Sequence, residues 1–357
     1  MSSIWGNKIK VSIFGESHSE AIGCVVDGFP CGIKIDKEKL LAFMARRSSK
    51  GGNDETPRIE KDYPNVLCGI VDDTTCGTPI ACVIENTNTK SSDYNGLRIS
   101  PRPSHADYSG SARYGGFNDI RGGGHFSGRL TAPLTFAGGL CKQLLEKNNI
   151  RIYARIKSIG NICDTPLSYV NIDEEQLKKI AEKPFPCIDD EKAKKMLEHI
   201  QKARNEMDSV GGVIECFVLG VEAGIGNPFF GSIESTIASV LFSVPAVKGI
   251  EFGSGFDITK MTGSEANDNF VVCDGKIKTE TNNNGGINGG ISNGMPIVLS
   301  VAMKPTPSIG KAQKTVDLEK MENTTLEIKG RHDPCIVKRA VPCIEAGVAI
   351  AISNLLP

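Results

Sequence analysis

No apolar run in the 357-residue sequence is long. The stretches from Val213 to Val221 and Val348 to Leu356 are interrupted by polar residues or glycine and fall short of the roughly 20 residues a spanning helix needs. No membrane segment is therefore expected. The N-terminus lacks the basic stretch and apolar run of a signal peptide, and the twelve cysteines include no Cys-x-x-Cys pair, so free thiols in the cytoplasm are the expected state. Neither sign of charge is in excess, with 41 Lys plus Arg against 42 Asp plus Glu and a net charge of -1. No whole-molecule field favours nucleic acid or an anionic membrane, and an anionic ligand must be met by locally clustered arginines. No low-complexity linker separates the chain into parts, since the polar, Gly-rich stretch 281–294 reads as a functional loop. A single domain spanning 1–357 is expected.

Glycine, by contrast, is abundant. Its 39 copies exceed the usual frequency of roughly 7%, and they concentrate at Gly122 to Gly124, Gly253 to Gly255 and 282–294, where backbone must turn sharply or approach a ligand closely. Val- and Ile-rich runs predict strands at Ile9–Phe14, Gly23–Val26, Val66–Val71, Ile80–Glu85, Ile150–Ile156, Gly212–Val221, Lys248–Phe252 and Pro296–Met303. Helical periodicity is clearest at Lys37–Arg47, Gly128–Lys147, Glu174–Lys183, Glu191–Met207, Ile233–Val244 and Val341–Leu355. Without regular strand-helix alternation, these elements predict α+β layers and not a doubly wound sheet. The stretch Gly23 to Pro30 is echoed weakly by Gly212 to Gly226, each followed by a helix; two related halves would explain it, as would chance similarity of Val-rich strands.

Three segments carry candidate chemistry. At Gly15-Glu16-Ser17-His18 an apolar strand ends in glycine and then offers a carboxylate, a hydroxyl and an imidazole that titrates near neutrality; an ordinary turn with a surface histidine fits equally. The second segment runs from Arg102 and His105 through Arg121-Gly122-Gly123-Gly124 to Ser127 and Arg129. Glycines leading into a helix present N–H groups to an anion, whereas an RNA-binding Arg-Gly-Gly tract would repeat. The third, Gly330-Arg331-His332-Asp333-Pro334, precedes the C-terminal helix and supplies an anion fork, a titratable ring and a base, although Asp333 before proline also suits a plain N-cap.

Together the three segments resemble the signature regions of chorismate synthases. Asp107-Tyr108, 208–211, 246–249, 285–294 and 304–308 agree as well, so the resemblance spans nearly the whole chain. It implies a layered β-α-β sandwich and a lyase that eliminates phosphate from 5-enolpyruvylshikimate 3-phosphate with reduced FMN. By the same resemblance His18 protonates the departing phosphate and Ser17 steadies it, His105 stands beside the flavin, and Asp333 works with it in taking the C6 proton. Arg46, Arg47, Arg102, Ser127, Arg129 and Arg331 are implied for substrate. His105, His125, Phe126, Ser127, Ala246, Gly289, Lys304, Pro305, Thr306, Pro307, Ser308 and Arg331 are implied for FMN, and Arg47 for NADPH, with which some members reduce their own flavin. Members are commonly homotetramers. Ser19, the His125-Phe126 pair and Pro245 depart from the commoner pattern of Gly or Cys, Arg-Ser and Asn. A flavin- or phosphosugar-binding protein and an NADPH-dependent flavin reductase on the same fold are the competing functions.

Overall fold

The computed structural model describes residues 3–49, 51–52, 62–87, 96–328 and 333–357. Two five-stranded sheets enclose a layer of helices. The first contains β1 (Ile4–Trp5), β2 (Lys10–Gly15), β3 (Ala21–Asp27), β4 (Asn65–Cys68) and β5 (Ile80–Glu85), in the order β1-β2-β3-β5-β4. The second contains β6 (Arg151–Ile159), β7 (Ile162–Cys163), β8 (Gly212–Leu219), β9 (Val247–Phe252) and β10 (Ile297–Met303), in the order β7-β6-β8-β10-β9.

The helices of more than one turn are α1 (Lys37–Arg47), α2 (Asp107–Tyr114), α3 (Thr131–Lys147), α4 (Glu174–Glu182), α5 (Asp190–Asn205), α6 (Ile233–Leu241) and α7 (Val337–Leu355). Between the sheets lie α3 and α7, packed along each other; α3 also touches β2, β3 and β5, while α7 touches β6 and β8. Each half of the chain shares one core plan, two strands, a helix, two strands and a helix, to which the first half adds α2 before its last helix and the second adds α4 and α5 between its first two strands. The four main strands of each take the spatial order first-second-fourth-third, with every pairing antiparallel. The echo between 23–30 and 212–226 falls on equivalent strands, β3 and β8.

Side-chain alternation explains the sheets' burial. In β5 the residues Ile80, Cys82 and Ile84 are buried and face the helical layer, as Ile22, Cys24 and Val26 do in β3. Helix starts follow ordinary capping: Asp36, Asp173, Asp189 and Ser232 each accept a backbone N–H of the first turn. The central crossing depends on small residues. A Cβ on Gly138 of α3 would lie 2.3 Å from Cα and Cβ of Ala346 in α7, so the two backbones meet where only hydrogen fits.

Several boundaries differ from the sequence expectation; the run Val66–Val71, for one, forms two separate strands, Asn65–Cys68 and Ile70–Val71. The last helix begins at Val337, not Val341, because Pro342 falls in its second turn and loses only one ladder bond there. The segment 128–130 is a 3₁₀ turn leading into α3. Helix α2 and the hairpin 313–317/322–326 were not anticipated, since neither has a strong apolar stripe.

Candidate active site

Triple-glycine backbone organises the site. Gly122, Gly123 and Gly124 have φ values of 60°, 92° and 55°, a left-handed run that L side chains avoid. It folds the chain tightly against the turn after β2, where Ser17 N–H donates to the Gly124 carbonyl at 3.1 Å. Two imidazoles abut consecutive members of this run. A Cβ on Gly122 would lie 2.3 Å from Cε1 and Nδ1 of His18 and 2.6 Å from Ser17 Oγ; one on Gly123 would lie 3.2 Å from Cε1 and Nε2 of His105. Residues 87 positions apart in sequence thus share one strip of wall.

That wall bounds a cavity of about 860 Å³. It is lined by the cations Arg47, Arg102, Arg129, Arg339 and Lys304 and by the apolar residues Val11, Ile13, Leu134, Val240 and Val244. His105, His125, Phe126, Ser127, Ala246, Thr306, Pro307, Ser308 and Asp333 also face it. Ser17 and His18 are buried just behind Gly122. Ser104 and Ala246, at φ 58° and 74°, are held in a region non-glycine residues rarely occupy, a form of strain common at functional sites.

Carboxylates organise the cations. Asp107, the first residue of α2, takes two bonds from the Arg102 guanidinium, both 2.7 Å, and lies 2.7 Å from His105 Nδ1. Burial pushes the Asp107 carboxyl up, but the hydrogen bonds and charges of Arg102 and His105 outweigh it and hold it well below the usual range. Arg102 also donates to Ser308 Oγ at 3.0 Å. Asp62 bridges Arg47 and Arg129 and accepts from Ser48 Oγ at 2.8 Å. Its burial likewise pushes upward, and the two guanidinium charges bring the carboxyl down to about 2. Arg339 meets both oxygens of Asp333 at 3.1 and 3.3 Å. Burial, then the neighbouring charge of Lys248, pulls the Lys304 ammonium pKa down, so an anion reaching this corner would relieve both costs.

Not every expected residue joins the site. Arg46 turns away from it: its guanidinium forms a bidentate pair with the fully buried Glu345 of α7, at 2.7 and 3.1 Å, beside Lys142. Adjacent helical positions point about 100° apart, so Arg47 faces the cavity while Arg46 faces the helix layer. Gly289 sits in the 287–292 hairpin and Pro305 packs on Gly211, both outside the cavity lining. His125 lines the cavity, yet its ring nitrogens are engaged by the Gly15 carbonyl at 2.8 Å and Ser3 Oγ at 2.9 Å, leaving its ring face and backbone for a ligand. Arg331 lies outside the described residues. Asp62, Asp107 and Arg339 were not assigned roles from sequence; of the three, only Asp107 falls in a stretch, Asp107-Tyr108, that agrees with the family pattern.

The family model for chorismate synthase matches residues 9–356. The chain belongs to the chorismate synthase family. It is 46% identical to the chorismate synthase of Thermococcus kodakarensis over 98% of this chain and 96% of that protein. Against the Methanosarcina mazei enzyme the identity is 44%, over 99% and 95%. A crystal structure of a chorismate synthase superposes with a TM-score of 0.76 at 26% identity, covering 98% of this chain and 92% of that one. The activity is that of a lyase in aromatic biosynthesis, and membership of the family implies a flavin requirement. Among the described residues no helix is long and apolar enough to cross a membrane.

Proposed function

We propose that this chain eliminates phosphate from 5-enolpyruvylshikimate 3-phosphate in a 1,4-anti sense, giving chorismate, with reduced FMN in the cavity and no net redox change. The observation that carries the proposal is the pair of imidazoles on Gly122 and Gly123, beside a hollow lined by both cationic and apolar side chains. A substrate with two carboxylates and a phosphate needs several cations in one place, and planar guanidinium forks suit both groups. Flavin needs an apolar slot for its ring system and a charged corner for its phosphate; Leu134, Val240 and Val244 fit the first, Lys304 and Ser308 the second.

Arg47, Arg102, Arg129 and Arg339 orient the substrate anions, and Ser127 adds a hydroxyl at the start of the turn into α3. Ser17 and His18 steady and protonate the departing phosphate, which requires them to reach past the Gly122 backbone. His105 holds a proton at the flavin edge, and Asp333 takes part in removing the C6 proton. Reduced FMN, when bound, supplies electron density to the reacting system as phosphate departs. Burial of the site excludes water from the developing charge.

Residues 1–357 act as one domain, supported by a hydrophobic core continuous across both sheets. A homotetramer fits the exposed Phe229 and Phe230, 86% and 97% accessible. A cytoplasmic location suits twelve cysteines outside any disulfide. NADPH near Arg47 is the proposed reductant. The test supplies substrate anaerobically with chemically reduced FMN and measures phosphate release. An intact, FMN-binding protein that released none would be a binding module instead, and NADPH oxidation with FMN alone would reveal reductase activity.

A further inference from the structure

His105 does not stand alone at the cavity wall. Its Nδ1 lies 2.7 Å from Asp107 Oδ1, and its opposite edge, Cε1 and Nε2, lies over Gly123. The Asp107 side chain is 2% exposed and that of His105 15%, so solvent competes little for this contact. A terminal nitrogen of Arg102 also comes within 3.1 Å of Nδ1. Two protonation patterns could satisfy these distances: Nδ1 accepts from Arg102, or Nδ1 donates to Asp107.

The first would set the Nδ1 lone pair against a carboxylate oxygen at 2.7 Å, acceptor against acceptor. In the second, the shorter contact becomes a charge-assisted hydrogen bond, while the same Arg102 nitrogen keeps its own 2.7 Å bond to Asp107. The electrostatics favour the second. The Asp107 carboxylate is also fixed on its far side: Arg102 donates to it from Nε and from its backbone N–H, at 2.7 and 3.0 Å. Its place at the start of α2 puts negative charge at a helix N-terminus, where it is favoured. A carboxylate held on three sides by donors is a stiff base against which to set a ring.

We propose that Asp107 is a positioning residue for His105, fixing its Nδ1–H tautomer and ring plane so that Nε2 is the nitrogen presented to the cavity. This rests on the placement of His105 at the reacting centre proposed above. A carboxylate behind an imidazole sets which ring nitrogen is free for chemistry, and loss of such an outer partner at metal-bound histidines typically costs about 10- to 100-fold. The competing account gives Asp107 a purely structural role as counter-ion to Arg102.

Two measurements separate these. The chain has five histidines, so ¹⁵N-histidine NMR on the intact protein, with the His105 signals assigned by their loss in His105→Ala, reports the tautomer without substrate or flavin. The wild type should show Nδ1–H at His105. Asp107→Asn should mix or invert the tautomers, and Asp107→Glu should restore part of the original pattern. A wild-type ring protonated at Nε2 alone, with Nδ1 bare, or a pattern unchanged in Asp107→Asn, overturns the proposal. The second measurement is a double-mutant cycle on kcat with Asp107→Asn and His105→Ala. If Asp107 acts through the ring, Asp107→Asn lowers kcat about 10- to 100-fold and costs nothing further once His105 is gone. An equal loss in both backgrounds overturns the proposal in favour of Arg102. Normal turnover in His105→Ala, with the expected tautomer in the wild type, would instead sink the placement of His105 at the reacting centre and leave the positioning intact.

Discussion

The His18 imidazole occupies the space a side chain at Gly122 would need: a Cβ there would lie 2.3 Å from its Cε1 and Nδ1. Glycine at 122 is therefore required twice over, by the approach of the ring and by a φ of +60°. Gly122→Ala should leave the sheets and central helices folded, since the loop lies outside the core. It should displace His18 and Ser17 and lower kcat by at least about 100-fold, the scale of a lost general acid. Turnover assays beside far-UV circular dichroism check this, and near-normal kcat would remove His18 from the chemistry.

The two histidines themselves give a second expectation. His18→Ala and His105→Ala should each slow turnover by about 10²- to 10⁴-fold while the protein stays folded. Single-turnover phosphate release measures it, and full activity in both variants would end the proton-transfer assignments.

Much of this site was legible in the sequence because its parts are local: a strand ending in Gly15, a glycine triplet before Ser127, an Arg-x-x-His. The strands were legible because β3 and β5 are short runs rich in Val and Ile, and the helices because α1 and α5 repeat their apolar positions. What could not be read was direction and pairing. Arg46 and Arg47 are chemically identical neighbours, and only the docking of α1 against α7 decides which one meets Glu345. Asp62 pairs with Arg129 across 67 residues of chain, a contact no spacing rule encodes. Helix α2 escaped notice because only Asp107 and Gly110 are buried along it, leaving no periodic stripe to find.

Asp62 predicts a pH dependence. Its carboxyl is lowered to about 2 from an ordinary value of 3.8. A depressed folded-state value contributes stability that is fully present above the unfolded value and lost as pH falls through the folded one. The shift corresponds to about 2 kcal/mol. Between roughly pH 4 and pH 2, wild type should therefore lose more stability than Asp62→Asn, as measured by urea midpoints. At neutral pH the same variant leaves the Arg47 and Arg129 charges without their shared partner. Its affinity for inorganic phosphate, read by calorimetry, should rise, and parallel acid profiles for the two proteins would contradict the bridge.

Arg46 and Arg129 make opposite predictions, although both were expected to bind substrate. The Arg129 guanidinium lines the cavity and pairs with Asp62, so Arg129→Ala should raise KM for substrate sharply, and the enzyme should also lose some stability. Arg46 instead neutralises Glu345, whose side chain is fully buried. Burial pushes that carboxyl up, and the charges of Arg46 and Lys142 reverse the effect. Removing one partner of a buried pair leaves an uncompensated charge, typically a loss of about 3–5 kcal/mol. Lys142 remains to share the charge in Arg46→Ala, which places the expected loss toward the lower end of that range. Below the melting transition KM for substrate should stay close to wild type, because no cavity group has changed. Steady-state kinetics at a temperature where both proteins are folded, paired with denaturant titration, would distinguish the two arginines. A large KM increase in Arg46→Ala without loss of stability would return Arg46 to the substrate site.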